Sequence, residues 1–120
     1  MQTGWKQIGG VWYYLKSNGE MYTGWLKSGG TYYYLNQNGA MQTGWKQIDG
    51  IWYYFKSSGA RHAGWLNLNG TYYYFNQSGA MQTGWLNLGG TWYYLYSSGA
   101  MATNTYMSGG YINSNGVWKA

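Results

Sequence analysis

The sequence predicts an all-β fold, a solenoid or superhelical stack of β-hairpins, on three observations. The phrase Gly-Trp-x-x-x-x-Gly-x-[Trp/Tyr]-Tyr-Tyr occurs five times, from Gly4, Gly24, Gly44, Gly64 and Gly84, without insertion or deletion. Each copy holds a Gly-Gly, Asp-Gly or Asn-Gly step, and these dipeptides accept positive φ at both central positions, as a type I′ hairpin turn requires. The flanks are rich in Trp, Tyr, Ile, Val and Thr, which suit strands. A twenty-residue unit cannot bury a core alone, so neighbours must stack and the chemistry of one unit recurs along the array.

Within the first copy a two-residue turn at Gly9 and Gly10 sets Ile8 opposite Val11, Gln7 opposite Trp12, Lys6 opposite Tyr13 and Trp5 opposite Tyr14. Side chains alternate along a strand, so Trp5, Gln7, Trp12 and Tyr14 share one face, and Lys6, Ile8, Val11, Tyr13 and Leu15 the other. The same sorting puts Trp45, Trp52 and Tyr54, or Trp85, Trp92 and Tyr94, on the ring face of later copies. A second turn follows at Ser17-Asn18-Gly19 and its equivalents, and five residues such as Ala40 to Gly44 lead to the next hairpin. Copies one and three read GWKQI, whereas two and four read GWL and then GTYYY, so the detail repeats every forty residues. Residues 1–100 therefore read as five repeats. Residues 101–120 keep Gly109-Gly110 and Asn115-Gly116 but lose the Gly-Trp pair and the aromatic triplet, and are expected to form a divergent capping repeat.

Composition narrows the function. Of 120 residues 16 are Tyr and 9 Trp against 2 Phe, so the apolar surface comes from rings with a polar handle, suited to half-exposed positions. There is no Cys, hence no disulfide framework and no thiolate metal site. His62 is the single histidine, and without Cys or paired acids it makes a poor metal ligand, so neither metal nor cofactor is expected. The net charge of +5 comes from scattered cations: the places of Lys16 and Lys56 are taken by Asn36, Asn76 and Tyr96 elsewhere. No basic track runs along the array, which argues against nucleic acid. No apolar run approaches the ~20 residues of a membrane span, and no signal peptide opens the chain, which reads as a piece of a longer polypeptide. With Glu20 and Asp49 the only carboxylates, the paired acids of a glycosidase are hard to assemble, and no enzyme is expected.

A seam built for packing alone would favour Leu, Ile and Val, which leave no polar atom to satisfy. A slot lined by Trp and Tyr suits either a sugar, whose apolar face lies on an indole, or a quaternary ammonium, held by cation-π attraction among several rings. The sugar needs polar groups nearby, for which Gln7, Gln47, Asn67 and Asn87 are candidates, although Lys27 stands at that place in copy two. The ammonium needs only rings.

The pattern GW-x4-G-x-WYYL-x3-G-x-M-x-TGW resembles the choline-binding repeat of Gram-positive cell-surface proteins and wall lysins, over nearly all of residues 1–100. The tail TNTYMSGGYINSNGVWKA resembles the closing segment of surface-exposed members. The resemblance implies a secreted module bound to the bacterial cell wall, anchored to choline or phosphocholine on teichoic and lipoteichoic acids. It further implies cages between consecutive hairpins, each formed by the Gly-Trp tryptophan and first triplet aromatic of one repeat and the last triplet Tyr of the next, with a Met closing it. The first would be Trp5, Trp12, Tyr34 and Met41; the second Trp25, Tyr32 and Tyr54. The third would be Trp45, Trp52, Tyr74 and Met81; the fourth Trp65, Tyr72, Tyr94 and Met101. Arg61 stands where the second cage should have its Met, and repulsion would weaken or empty that site. A fifth set, Trp85 and Trp92, lacks the Tyr of a following repeat and is expected to be incomplete. The alternative is a glucan-binding module recognising polysaccharide, since similar Trp and Tyr repeats occur in proteins resembling glucosyltransferase tails. The sequence leaves the oligomeric state open.

Overall fold

A computed structural model describes residues 3–120, and among them there is no helix. The chain divides into two compact units, one ending at His62 and the other running from Ala63 to Ala120. The first holds the hairpins β1 (Gly4–Ile8) with β2 (Val11–Leu15), β3 (Gly24–Ser28) with β4 (Thr31–Leu35), and β5 (Gly44–Ile48) with β6 (Ile51–Phe55). The second holds β7 (Gly64–Leu68) with β8 (Thr71–Phe75), β9 (Gly84–Leu88) with β10 (Thr91–Leu95), and the shorter β11 (Thr105–Met107), β12 (Gly110–Ile112) and β13 (Trp118–Lys119).

Every repeat folds as the spacing predicts. Trp5 pairs with Tyr14, Gln7 with Trp12 and Ile8 with Val11, and the other four hairpins copy this register. The turns take positive φ at both central residues: 58° and 83° at Gly9 and Gly10, 52° and 79° at Asp49 and Gly50. That is the type I′ geometry, whose twist matches that of the flanking strands.

An isolated hairpin is marginal in water, and two devices bind it to its neighbours. One is backbone: beyond each second turn the chain returns as a bridge, so Met41 N donates to the Trp12 carbonyl at 2.8 Å, Arg61 N to Tyr32 at 2.9 Å and Met101 N to Tyr72 at 2.8 Å. The other is a thin core drawn mainly from the end of the second strand of each hairpin after the first. Leu35 and Phe55 are fully buried in the first unit, and Phe75, Leu95 and Ile112 in the second. Each such burial contributes about 1.5–3 kcal/mol.

In the second unit the segment after the fifth hairpin joins its sheet, giving the strand order β11-β12-β13-β10-β9. Trp118 of β13 pairs with Trp92 on one side and Ile112 on the other.

Candidate aromatic cages

The seams are built from opposite faces. Trp5 stands edge-on to Trp12 at 6.4 Å and to Tyr14 at 5.2 Å within its own hairpin. From the next hairpin the ring that reaches it is Tyr33, at 4.9 Å and 67°. Tyr53 meets Trp25 at 4.9 Å, and Tyr93 meets Trp65 at 5.0 Å, in the same way.

This corrects the sequence expectation, which drew the last Tyr of each triplet into the cage before it. Tyr34, Tyr54, Tyr74 and Tyr94 instead pack on the tryptophan of their own hairpin, Trp25, Trp45, Trp65 and Trp85, at 5.2, 5.4, 5.0 and 5.0 Å. The reason is the front-to-back polarity of stacking. Like units placed head to tail bring the front of one against the back of the next. Tyr34 lies on the front of its hairpin with Trp25, whereas Tyr33 lies on the back, towards Trp5. The alternation in the sequence already separates positions 33 and 34, and combined with head-to-tail stacking it would have selected the middle tyrosine.

Three of the cavities among the described residues have the following walls. The first, about 280 Å³, is lined by Trp5, Trp12, Tyr33, Met41 and Ser58. It draws on three hairpins, because Met41 lies across Gly59 in the turn after β6. A Cβ on Gly59 would overlap the Met41 thioether, and its φ of +88° favours glycine as well. The second cavity, about 470 Å³, is lined by Trp65, Tyr72, Tyr93, Met101, Ser114 and Asn115. Here the turn ending at Gly116 takes the part that the Gly59 turn plays in the first, with Met101 lying on Gly116. The third cavity, about 290 Å³, is lined by Trp85, Trp92, Ser108 and Trp118. Ser58, Ser114, Asn115, Ser108 and Trp118 were not legible as wall residues, because each reaches its cavity from a turn or strand remote in sequence.

Around Trp25 and Tyr32 the chain supplies its own cations. The Arg61 guanidinium lies 4.1 Å from the centre of the Tyr32 ring and 5.7 Å from that of Trp25. Lys27 Nζ stands 5.5 Å from Tyr32. Of the set expected as the third cage, Trp45 and Trp52 belong to the first unit, 6.3 Å apart edge-on, and Met81 and Tyr74 to the second, where Met81 lies on Gly99.

Three of the four polar groups that a sugar would need are engaged elsewhere. Asn67 and Asn87 each accept the turn amide of Gly70 and Gly90 at 2.9 Å, and Gln47 donates to the Gly50 carbonyl. Glu20 accepts from Asn18 in one turn, and Asp49 is itself a turn residue of another hairpin. Among the described residues no group of three or more His, Cys, Asp or Glu could hold a metal ion.

A family model described as a choline-binding repeat matches residues 2–43 and 62–106, and one of a cell wall binding repeat matches residues 43–60. No curated protein sequence matches. Among solved structures, CbpJ from Streptococcus pneumoniae TIGR4 is 51% identical with a TM-score of 0.95, covering 99% of this chain and 41% of its own. Choline binding protein F from Streptococcus pneumoniae is 48% identical with a TM-score of 0.95, covering 100% of this chain and 41% of its own. The pneumococcal cell wall endolysin from phage Cp-1, in a structure complexed with choline, is 41% identical with a TM-score of 0.57, covering 83% of this chain and 30% of its own. The chain thus spans well under half the length of these relatives.

Proposed function

The chain belongs to the choline-binding repeat family, and on that premise we propose that it is a non-catalytic anchoring module. It holds the choline head groups of phosphocholine on teichoic and lipoteichoic acids in the cages at Trp5 and Trp65, and so keeps a secreted protein on the bacterial wall. The observation that carries this reading is the pair of matching cavities, each walled by an indole, a second ring from the same hairpin, a tyrosine from the next and a methionine, with no acid in either lining. A trimethylammonium group makes no strong hydrogen bond and needs none here. Its positive charge faces ring quadrupoles, each contributing about 0.5–1 kcal/mol at exposed sites and more where water is excluded. The guanidinium that Arg61 lays over Tyr32 supports the same chemistry, since these rings already attract a cation within the chain.

Three rings give about 1.5–3 kcal/mol at exposed sites and more where water is excluded, which reaches the ~4 kcal/mol of a millimolar site. Such a site is weak alone. Several on one chain, facing a polymer of repeated head groups, act at high effective concentration and hold the wall firmly. In this arrangement residues 1–100 carry the repeats and residues 101–120 close the last of them. The two carboxylates sit in separate turns, which supports a binding rather than a catalytic role.

Retention on a quaternary-amine resin tests the proposal. The protein should stay bound in molar sodium chloride, which screens ordinary ion exchange, and elute with choline. Elution by salt alone, or a thermal shift with dextran and none with choline, would replace this reading with ion exchange or the glucan alternative.

A further inference from the structure

We propose that Trp118 completes a fifth cage, with Trp85 and Trp92, that takes a quaternary ammonium head group between three indoles. The proposal rests on the choline reading of the other cages but adds a site that repeat spacing does not provide, because no following repeat supplies the tyrosine.

The third wall comes from β13. Trp118 stands edge-on to Trp85 at 5.6 Å and 74°, close to the 4.9 Å and 67° at which Tyr33 meets Trp5. Trp85 and Trp92 are 6.3 Å apart, matching Trp5 and Trp12 at 6.4 Å. The volumes agree too, about 290 Å³ against about 280 Å³. Trp85 and Trp92 remain 39% and 41% exposed, so their rings are open to a solute.

Trp118 is held in place by more than contact with its partners. Its indole Nε1 donates to the Met107 carbonyl at 2.7 Å, which satisfies the one polar atom of the ring and fixes its orientation. A Cβ on Gly110 would come within 2.7 Å of the Trp118 indole, so a glycine is required for the ring to lie there. β13 itself is locked between β12 and β10. Ser108, in the turn before β12, replaces the methionine of the other cages, so three indoles supply the wall, and indole is the strongest of the neutral cation-π partners.

The test is choline titration of the ¹⁵N-labelled chain, following the nine tryptophan indole resonances, assigned by single Trp→Phe substitutions, against a sodium chloride control. The expected result is that Trp85, Trp92 and Trp118 shift with a millimolar midpoint alongside Trp5 and Trp12. If Trp5 and Trp12 respond while those three do not, the fifth cage is refuted and the family reading stands. If no indole responds, both fall. Ser108→Arg then places a guanidinium in the cavity from a residue already at φ 51°. It should weaken the response of Trp85, Trp92 and Trp118 at least fivefold and leave Trp5 unchanged; an unaltered response at Trp85 would place the ligand outside this cavity and overturn the proposal.

Discussion

Arg61→Met should open the second cage. In the native chain the guanidinium lies on Tyr32 at 4.1 Å and near Trp25 at 5.7 Å, so an incoming choline must displace a cation already in place. At about 0.5–1 kcal/mol for each of two rings, self-occupancy is worth ~1–2 kcal/mol. That lowers the apparent affinity of this cage roughly 5–30-fold, from about millimolar to about 5–30 mM. Methionine is the residue at the equivalent positions 21, 41, 81 and 101, so the substitution restores the pattern of the other repeats. Lys27 remains 5.5 Å from Tyr32, but its exposed ammonium is well hydrated and competes less. Equilibrium dialysis at 1–5 mM choline, roughly the single-site range, should show the number of bound cholines rise by about a half. The Trp25 indole resonance should begin to respond at that concentration. The reasoning is refuted if native Trp25 already titrates with the same midpoint as Trp5, or if Arg61→Met leaves Trp25 silent in a folded protein.

Three further outcomes are expected. Trp5→Ala should abolish the choline response of Trp12 and leave that of Trp65 intact, since the two cages share no residue; loss of both in a folded variant, read by indole NMR, would mean that Trp5 acts on the fold rather than on one cage. Gly59→Ala imposes a left-handed conformation costing about 1–2 kcal/mol and drives a methyl into Met41, so it should lower the thermal midpoint and weaken choline binding at Trp5 although residue 59 does not line that cavity. Phe55→Ala empties a fully buried site, and urea unfolding should register a loss of about 3–5 kcal/mol.

Much of the fold could be read from spacing because the turn chemistry and the strand alternation agree at every copy. Gly9-Gly10 and Asp49-Gly50 dictate the turn, the turn dictates the register, and the register dictates that Trp5, Trp12 and Tyr14 share a face. The rings that share a face within one hairpin follow directly. What the spacing leaves undetermined is which face of the next hairpin arrives, and the family resemblance points to Tyr34 where Tyr33 stands. The walls contributed by Ser58 and Asn115 depend on how far a turn reaches over two neighbours, a distance that no local pattern encodes. Trp118 was harder still: the sequence from 101 onward has no Gly-Trp pair, and only the insertion of β13 beside β10 brings its indole to Trp85.

The methionine that leans on the glycine of the following hairpin sets a minimum length for recognition. Since the first binding crevice takes Tyr33 and Met41 from the second unit and Ser58 from the third, a peptide of one unit should be blind to ligand however well it folds, and one of two units should bind more weakly. Removing the first unit should therefore lose one crevice and leave the one at Trp65 intact.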